Sequence, residues 1–483
     1  MKRLKEILRN RVMQYIASRY ATYFLQFVNS IFIAQKLGPY YLGVYGFVTL
    51  IIQYLSQLNF GIPHGLNVML STNIRDSKNS NITISASLIL VFIISIFSIS
   101  LLGLINNYSL TASNKYELGD FLYFVMIIVT FGLFNQVFSN IYRIHGKITE
   151  LAINQTLMPL LSLGAIIIFK DKTLLYGLLY SNVISFILSF IIFIMRFPIR
   201  FKFSFEIPQM TILLKKSGFL FLYNLSFYFI FISIKSFVSY YFDVKEFGYF
   251  TFTFTMANSF LMLFEALSYL IFPKMLNRFA VLENTQIIIV LDKIRDVYIT
   301  SSHMLIHLAI FLFPFLEKIL PEYSNTHSSF TYIALTLSIY TISFGYQGLL
   351  IARDRERQLS LLALSILILN VLLSYLLVHY FKVEYYSVVV SALFSYTVYI
   401  FILAFFVFNV LSRKTSFQIV FREIFRLSLF LPILISILIT MLEWNTILYV
   451  IPLLMFMIFN SKKSGLIIKY IKTILIDQNV INI

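Results

Sequence analysis

The stretch AQKLGPYYLGVYGFVTLIIQYLSQLNFGIPHGLNVM, residues 34–69, decides how the chain is read. It opens on a turn at Gly38-Pro39 and runs on as one membrane-length helix with polar residues at helical spacing. Gly61-Ile62-Pro63 breaks its second half, where Pro63 removes a backbone donor one turn after Asn59. A looser copy, SYYFDVKEFGYFTFTFTMANSFLMLFEALSYLIFPKML, occupies residues 239–276. Leu37 to Tyr45 aligns with Phe242 to Phe250 at a constant offset of 205 (242 minus 37). An apolar residue, a polar turn, an apolar residue, a glycine and an aromatic recur in that order. One start used twice predicts two related halves with a pathway between them.

Composition sets the class. Hydrophobic residues make up 59% of the 483 and charged residues 12%, against about 45–50% and about 25% in soluble domains. The expectation is an all-α, polytopic integral membrane protein. With about 20 residues per span, apolar runs give twelve spans between residues 12 and 410, and shorter runs at 427–442 and 446–460 bring the number to 14. The chain has no cysteine, which excludes disulfides, thiolate metal sites and catalytic thiols. Its six histidines are scattered. His303 and His307 share a helix face without a neighbouring carboxylate, so no metal site is expected.

The net charge of +17 is explained by its distribution. With the N-terminus inside, 29 of the 38 Lys and Arg fall in inner segments and 7 on the outer side. Only Arg19 and Lys235 lie within spans. This is the positive-inside bias; it places both termini in the cytoplasm and removes the need for a nucleic-acid partner. The longest outer loop, 106–119, is too short to hold an acceptor and a pair of acid–base carboxylates. There is no phosphate-binding loop sequence either, so an enzyme is not expected.

The two copies are separated by six spans, an even number, which makes the repeats parallel, a transporter plan with the substrate site between the halves. The expected division is a six-helix lobe over 1–200, a second over 201–410 and two further helices with a tail over 411–483. Polar residues stripe the first two helices of each half. Span 1 carries Gln14, Ser18, Thr22, Gln26 and Asn29 beside Arg19; span 2 carries Gln53, Gln57, His64 and Asn67. Span 7 adds Asn224, Tyr228, Lys235 and Ser239, and span 8 adds Thr251, Thr255, Asn258, Glu265 and Ser268. Such stripes predict a shared water-filled cavity, since lipid does not tolerate them.

Five motifs then occur in order: LGPYYLGVYGF in the first outer turn, GIPHGLNVML closing span 2, RIHGKITELAINQ between spans 4 and 5, LFEALSYLIFPKMLNRF closing span 8, and QGLLIARDRERQLSLLAL between spans 10 and 11. Together they resemble the Wzx-type flippases of O-antigen and capsule polysaccharide biosynthesis, in the MATE/MOP superfamily, over about residues 10–410. The resemblance implies two MATE-like lobes in a bacterial inner membrane. It also implies a lipopolysaccharide- or capsule-pathway flippase that moves an undecaprenyl-diphosphate-linked oligosaccharide to the outer leaflet by alternating access. Membrane lipids, a glycan polymerase and a chain-length regulator are the partners it implies. No cofactor is expected beyond a coupling H+ or Na+. On this reading Arg19 and Lys235 meet the diphosphate, since guanidinium grips phosphate bidentately and ammonium meets it as a point charge. Gln26, Gln57, Asn224, Tyr228 and Asn258 take the glycan, while Glu265 and His64 bind the coupling ion. Bland readings stand beside these: both bases lie near enough to a membrane face to snorkel, Glu265 can be a structural ion pair, and His64 a packing residue. The rival functions are a multidrug or lipid II transporter of the same superfamily and, from another class, a membrane glycan polymerase. Exporters of cations favour an acid in span 1, where this chain has Arg19.

Overall fold

A computed structural model describes residues 11–72, 77–107, 114–199, 202–413, 415–461, 463 and 465. Its elements are helices joined by short turns, with no strand among the described residues. In chain order they are α1 (Arg11–Ser56), α2 (Ile62–Thr72), α3 (Ser77–Asn107), α4 (Leu122–Ile144), α5 (Ile148–Ile168), α6 (Asp171–Met195), α7 (Ile207–Tyr241) and α8 (Val244–Val281). Then come α9 (Asn284–Ile319), α10 (His327–Thr341), α11 (Tyr346–Ala352), α12 (Glu356–His379), α13 (Val390–Val410), α14 (Phe417–Ile424), α15 (Leu427–Met441) and α16 (Val450–Phe459).

Among the described residues ten helices are long and apolar enough to cross a membrane, and α14–α15, bent by 66°, make an eleventh if taken as one span. Part of the difference from 12–14 has a physical source. Spans 1 and 2 form one apolar run, 17–59, folded into two arms of α1 at Gly38 (φ 65°, ψ 172°). Glycine takes that positive φ without a Cβ penalty, and Pro39 restarts the helix with a preset φ. The expected break at Gly61 is present too: Phe60 and Gly61 have φ of 46° and 72°. Asn59 Oδ1 accepts from the Gly61 N–H at 2.8 Å, and the Gly61 carbonyl accepts from His64 and Gly65 to start α2.

The helices are turned outward in the manner of a lipid-immersed protein. On α3, Phe92, Ile93, Ile96 and Phe97 are exposed, while Ser80, Thr83, Ser87, Ser95 and Ser98 are buried. Between helices in lipid, small polar residues allow close approach, and apolar bulk faces the acyl chains. At the other extreme α10 is enclosed on nearly every side. It is fixed by Thr253–Ser329 (2.7 Å), Ser302–Thr341 (3.0 Å) and the stack of Phe313 on Phe330 (3.9 Å).

The chain packs as two compact units. The first takes residues up to Tyr228 together with Ser239–Thr251; the second takes Phe229–Val238 and the chain from Phe252 onward. Both units repeat one helix pairing. In the first, Asn29 on α1 donates to the Pro159 carbonyl of α5 at 2.7 Å. In the second, Asn370 on α12 donates to the Ile230 carbonyl of α7 at 3.2 Å. Those are the first and fifth spans of each half, as a parallel repeat requires.

Candidate functional site

In the first unit, glycines seat the organising stretch against the start of its own copy. A Cβ built on Gly43 would lie 2.0 Å from the Val244 carbonyl oxygen, and one on Gly248 would lie 1.8 Å from that of Pro39. Gly43 and Gly248, like Pro39 and Val244, are equivalent positions in the repeat, so the contact is reciprocal. Gly46 meets Thr251, its own equivalent, at 2.4 Å by the same measure. Further along, Gly61 would meet Phe221 at 2.6 Å and Gly65 would meet Ser217 at 2.2 Å. Lys115 and Tyr116 clamp the α7–α8 turn to this assembly. Tyr116 donates to the Ser239 carbonyl at 2.9 Å and stacks on Phe47 at 4.2 Å. Lys115 donates to Ser239 at 2.9 Å and also to Phe242, which suits a cation at a helix C-terminus. Burial lowers the Lys115 pKa, and Asp243 and Glu246 act in the opposite direction.

Beside this seam lies a neutral polar cluster. Tyr228 hydrogen bonds Gln57, Asn224 Nδ2 lies 3.4 Å from His64 Nε2, and Asn59 donates to Gln136 at 2.8 Å. Four residues expected at the site, Gln57, His64, Asn224 and Tyr228, thus come together from the 57–59 turn, α2 and α7. Gln136 of α4 was not anticipated, because a lone glutamine in an apolar helix carries no periodic signal. The stretches that build this cluster, 43–72, 122–144 and 207–228, contain no Asp or Glu. It therefore offers amide, hydroxyl and imidazole groups but no fixed negative charge.

Arg19 is half-buried on α1 with Nε and Nη1 shielded from solvent; its guanidinium carbon lies 5.6 Å from the Tyr23 ring centroid. Gln26 lies on the same arm with Oε1 buried. Not all of the span 1 stripe faces a cavity. Thr22 bonds Thr156 at 3.0 Å and Asn29 bonds Pro159, so those two join α1 to α5. Lys235 and Asn258 belong to the second unit. Lys235 is 8% exposed, with Nζ 4.0 Å over the Phe254 ring, a cation–π arrangement worth about 0.5–2 kcal/mol. Asn258 is half-buried on α8. The side chains of Glu265, Gln14 and Ser268 lie outside the described residues. His303 and His307 do share a face, packed on Phe456 at 6.1 and 5.5 Å. Among the described residues no group of three His, Asp or Glu is placed to hold a metal ion.

Solved structures share this architecture. The lipid II flippase MurJ, in an inward closed conformation, matches with a TM-score of 0.65 and 15% identity over 95% of this chain and 99% of that one. An inward-facing MATE multidrug resistance transporter of the MOP superfamily matches with a TM-score of 0.62 and 14% identity, over 82% and 98%. An outward-facing one gives 0.54 and 16%, over 83% and 95%. This chain shares the fold of these solved transporters. No family model matches the chain, and no curated protein matches it. That fold goes with the multi-pass membrane architecture, and the neighbours themselves are transporters and a flippase.

Proposed function

We propose that this membrane protein is a flippase that carries an undecaprenyl-diphosphate-linked oligosaccharide from the cytoplasmic to the outer leaflet of a bacterial inner membrane. It would act in O-antigen or capsule assembly, by alternating access and without catalysis. The observation that carries the reading is the neutral cluster of Gln57, Asn59, His64, Gln136, Asn224 and Tyr228. Amides and hydroxyls match sugar hydroxyls, whereas a lipophilic cation binds best against a carboxylate. Arg19 and Lys235 supply the charge for the diphosphate, and Gln26 and Asn258 extend the glycan contacts. Glu265 and His64 remain the proposed ion-coupling residues, with H+ or Na+ as the ion. Both termini are placed in the cytoplasm, and a glycan polymerase and chain-length regulator are the downstream partners.

The length of the MurJ match favours a lipid-linked substrate over a drug. A helix pair beyond residue 410 fits the longer plan, and the MATE matches leave about a sixth of this chain uncovered. Lipid II is the second reading on the same ground. Thermal unfolding of the purified protein separates a lipid-linked substrate from a drug. A lipid-linked oligosaccharide should raise the unfolding temperature saturably while a lipophilic cation leaves it unchanged; the reverse result favours a drug transporter.

A further inference from the structure

In the second unit, a cavity of about 390 Å³ lies among the start of α10, the 385–389 turn and the link from α15 to α16. Its lining includes Asn325, His327, Glu384, Tyr386, Glu443 and Trp444. Trp444 is 53% exposed, so the cavity opens at the surface, while His327 at its floor is 8% exposed. Glu317, the end of α9, is equally buried at 8% and presents Oε2 3.7 Å from His327 Nδ1. Its Oε1 accepts from the Thr326 N–H and hydroxyl at 3.2 and 3.4 Å. Neither ring nitrogen of His327 has a hydrogen-bond partner among the described residues. The imidazole is held instead between the rings of Tyr449 (4.6 Å) and Phe313 (5.8 Å).

An imidazole bordering a cavity, with a buried carboxyl group behind it, is built to take a proton. The surroundings favour a cation. Glu384 and Tyr386 face the cavity from the start of the 385–389 turn, Glu443 and Tyr449 from the link between α15 and α16; Glu322 and Tyr323 sit on the turn before α10. Among the described residues no Lys or Arg lines it, and Lys318 has its Nζ 5.5 Å from the Phe315 ring. His303 and His307 lie more than two turns back along α9. A metal ion would need more ligands than this pair offers.

We infer that Glu317 and His327 form a proton-binding site at the floor of this cavity. A hydronium ion in the cavity gives its proton to Glu317 Oε2 or His327 Nδ1 and leaves as water, taking the pair from a net charge of −1 to 0. Its use as a coupling site rests on the transport reading, but the binding itself does not, so proton uptake tests it alone. Uptake is measured on the full-length protein in neutral lipid vesicles between about pH 8 and about pH 5, the imidazole range. Glu317→Gln should take up one proton fewer per molecule than the wild type, and Glu322→Gln, an exposed control, the same number. Equal uptake by Glu317→Gln and wild type overturns the site. His327→Asn provides a second reading if Glu317→Gln does not fold. It should move the midpoint of the carboxyl infrared band by about one pH unit or more; an unmoved midpoint overturns the pairing.

Discussion

Replacing Gly248 with alanine puts the reciprocal turn contact to the test. The added Cβ would lie 1.8 Å from the Pro39 carbonyl oxygen and 2.8 Å from its carbon. Ordinary contact begins near 3.4 Å, so the turns must part by about 1.6 Å, the difference between 3.4 and 1.8. Both sides of the contact are main chain, and no side chain can rotate away. Overpacking of this kind costs about 1–3 kcal/mol, and alanine returns about 1 kcal/mol of helix propensity over glycine. The backbone-on-backbone geometry belongs at the upper end, leaving a net loss of about 2 kcal/mol. At about 2–4 °C per kcal/mol for a unit of this size, unfolding should come about 4–8 °C earlier. Gly43→Ala, its repeat equivalent, should behave alike, and the double variant should lose less than the sum of the two because one separation serves both. Gly164→Ala and Gly103→Ala meet nothing within 4 Å and should match or exceed the wild type. Thermal unfolding in detergent, followed by intrinsic fluorescence, reads all of these. If Gly248→Ala and Gly43→Ala unfold with the Gly164→Ala control, the interlocked turns do not hold the unit together.

Other consequences follow from single contacts. Arg19→Ala and Lys235→Ala, each at wild-type protein level, should reduce surface glycan assembly at least tenfold, about 1.4 kcal/mol of lost diphosphate binding; full assembly by both would remove these bases from the substrate site. Arg19→Lys retaining function would argue for charge alone rather than a bidentate grip. Tyr116→Phe leaves the Phe47 stack but removes the hydrogen bond to Ser239, and should cost about 1 kcal/mol of stability, read as a lower unfolding temperature. Asn29→Leu removes the side-chain hydrogen bond to the Pro159 carbonyl that ties α1 to α5 and should cost about 0.6–1.7 kcal/mol. Unchanged stability there would return Asn29 to the cavity.

Local chemistry made much of this fold legible. Gly38-Pro39 and Gly61-Ile62-Pro63 announce their bends because glycine and proline act on their own backbone. The apolar runs give the helices for the same reason, although hydropathy joins spans 1 and 2 into one run. Long-range contacts are another matter. Periodicity placed Thr22, Gln26 and Asn29 on one face of α1 but could not say that α5 covers part of it. Gly46 and Gly65 read as ordinary small residues until Thr251 and Ser217 are set against them. Glu317 falls at the edge of an apolar run, where acids are normally solvated, and only the turn from α9 to α10 brings His327 back to it. The pairs Gln57–Tyr228 and His64–Asn224 were foreseen as members of a site, but their pairing was not.

The central claim is transport of a lipid-linked glycan, and reconstituted vesicles measure it most directly. A labelled undecaprenyl-diphosphate oligosaccharide is placed in one leaflet, and its accessibility to an enzyme or quencher outside is followed without nucleotide. The account predicts accessibility rising with the amount of protein, and slower for Arg19→Ala and Tyr228→Phe. Accessibility no faster than in protein-free vesicles, or the appearance of new glycosidic bonds, would contradict it.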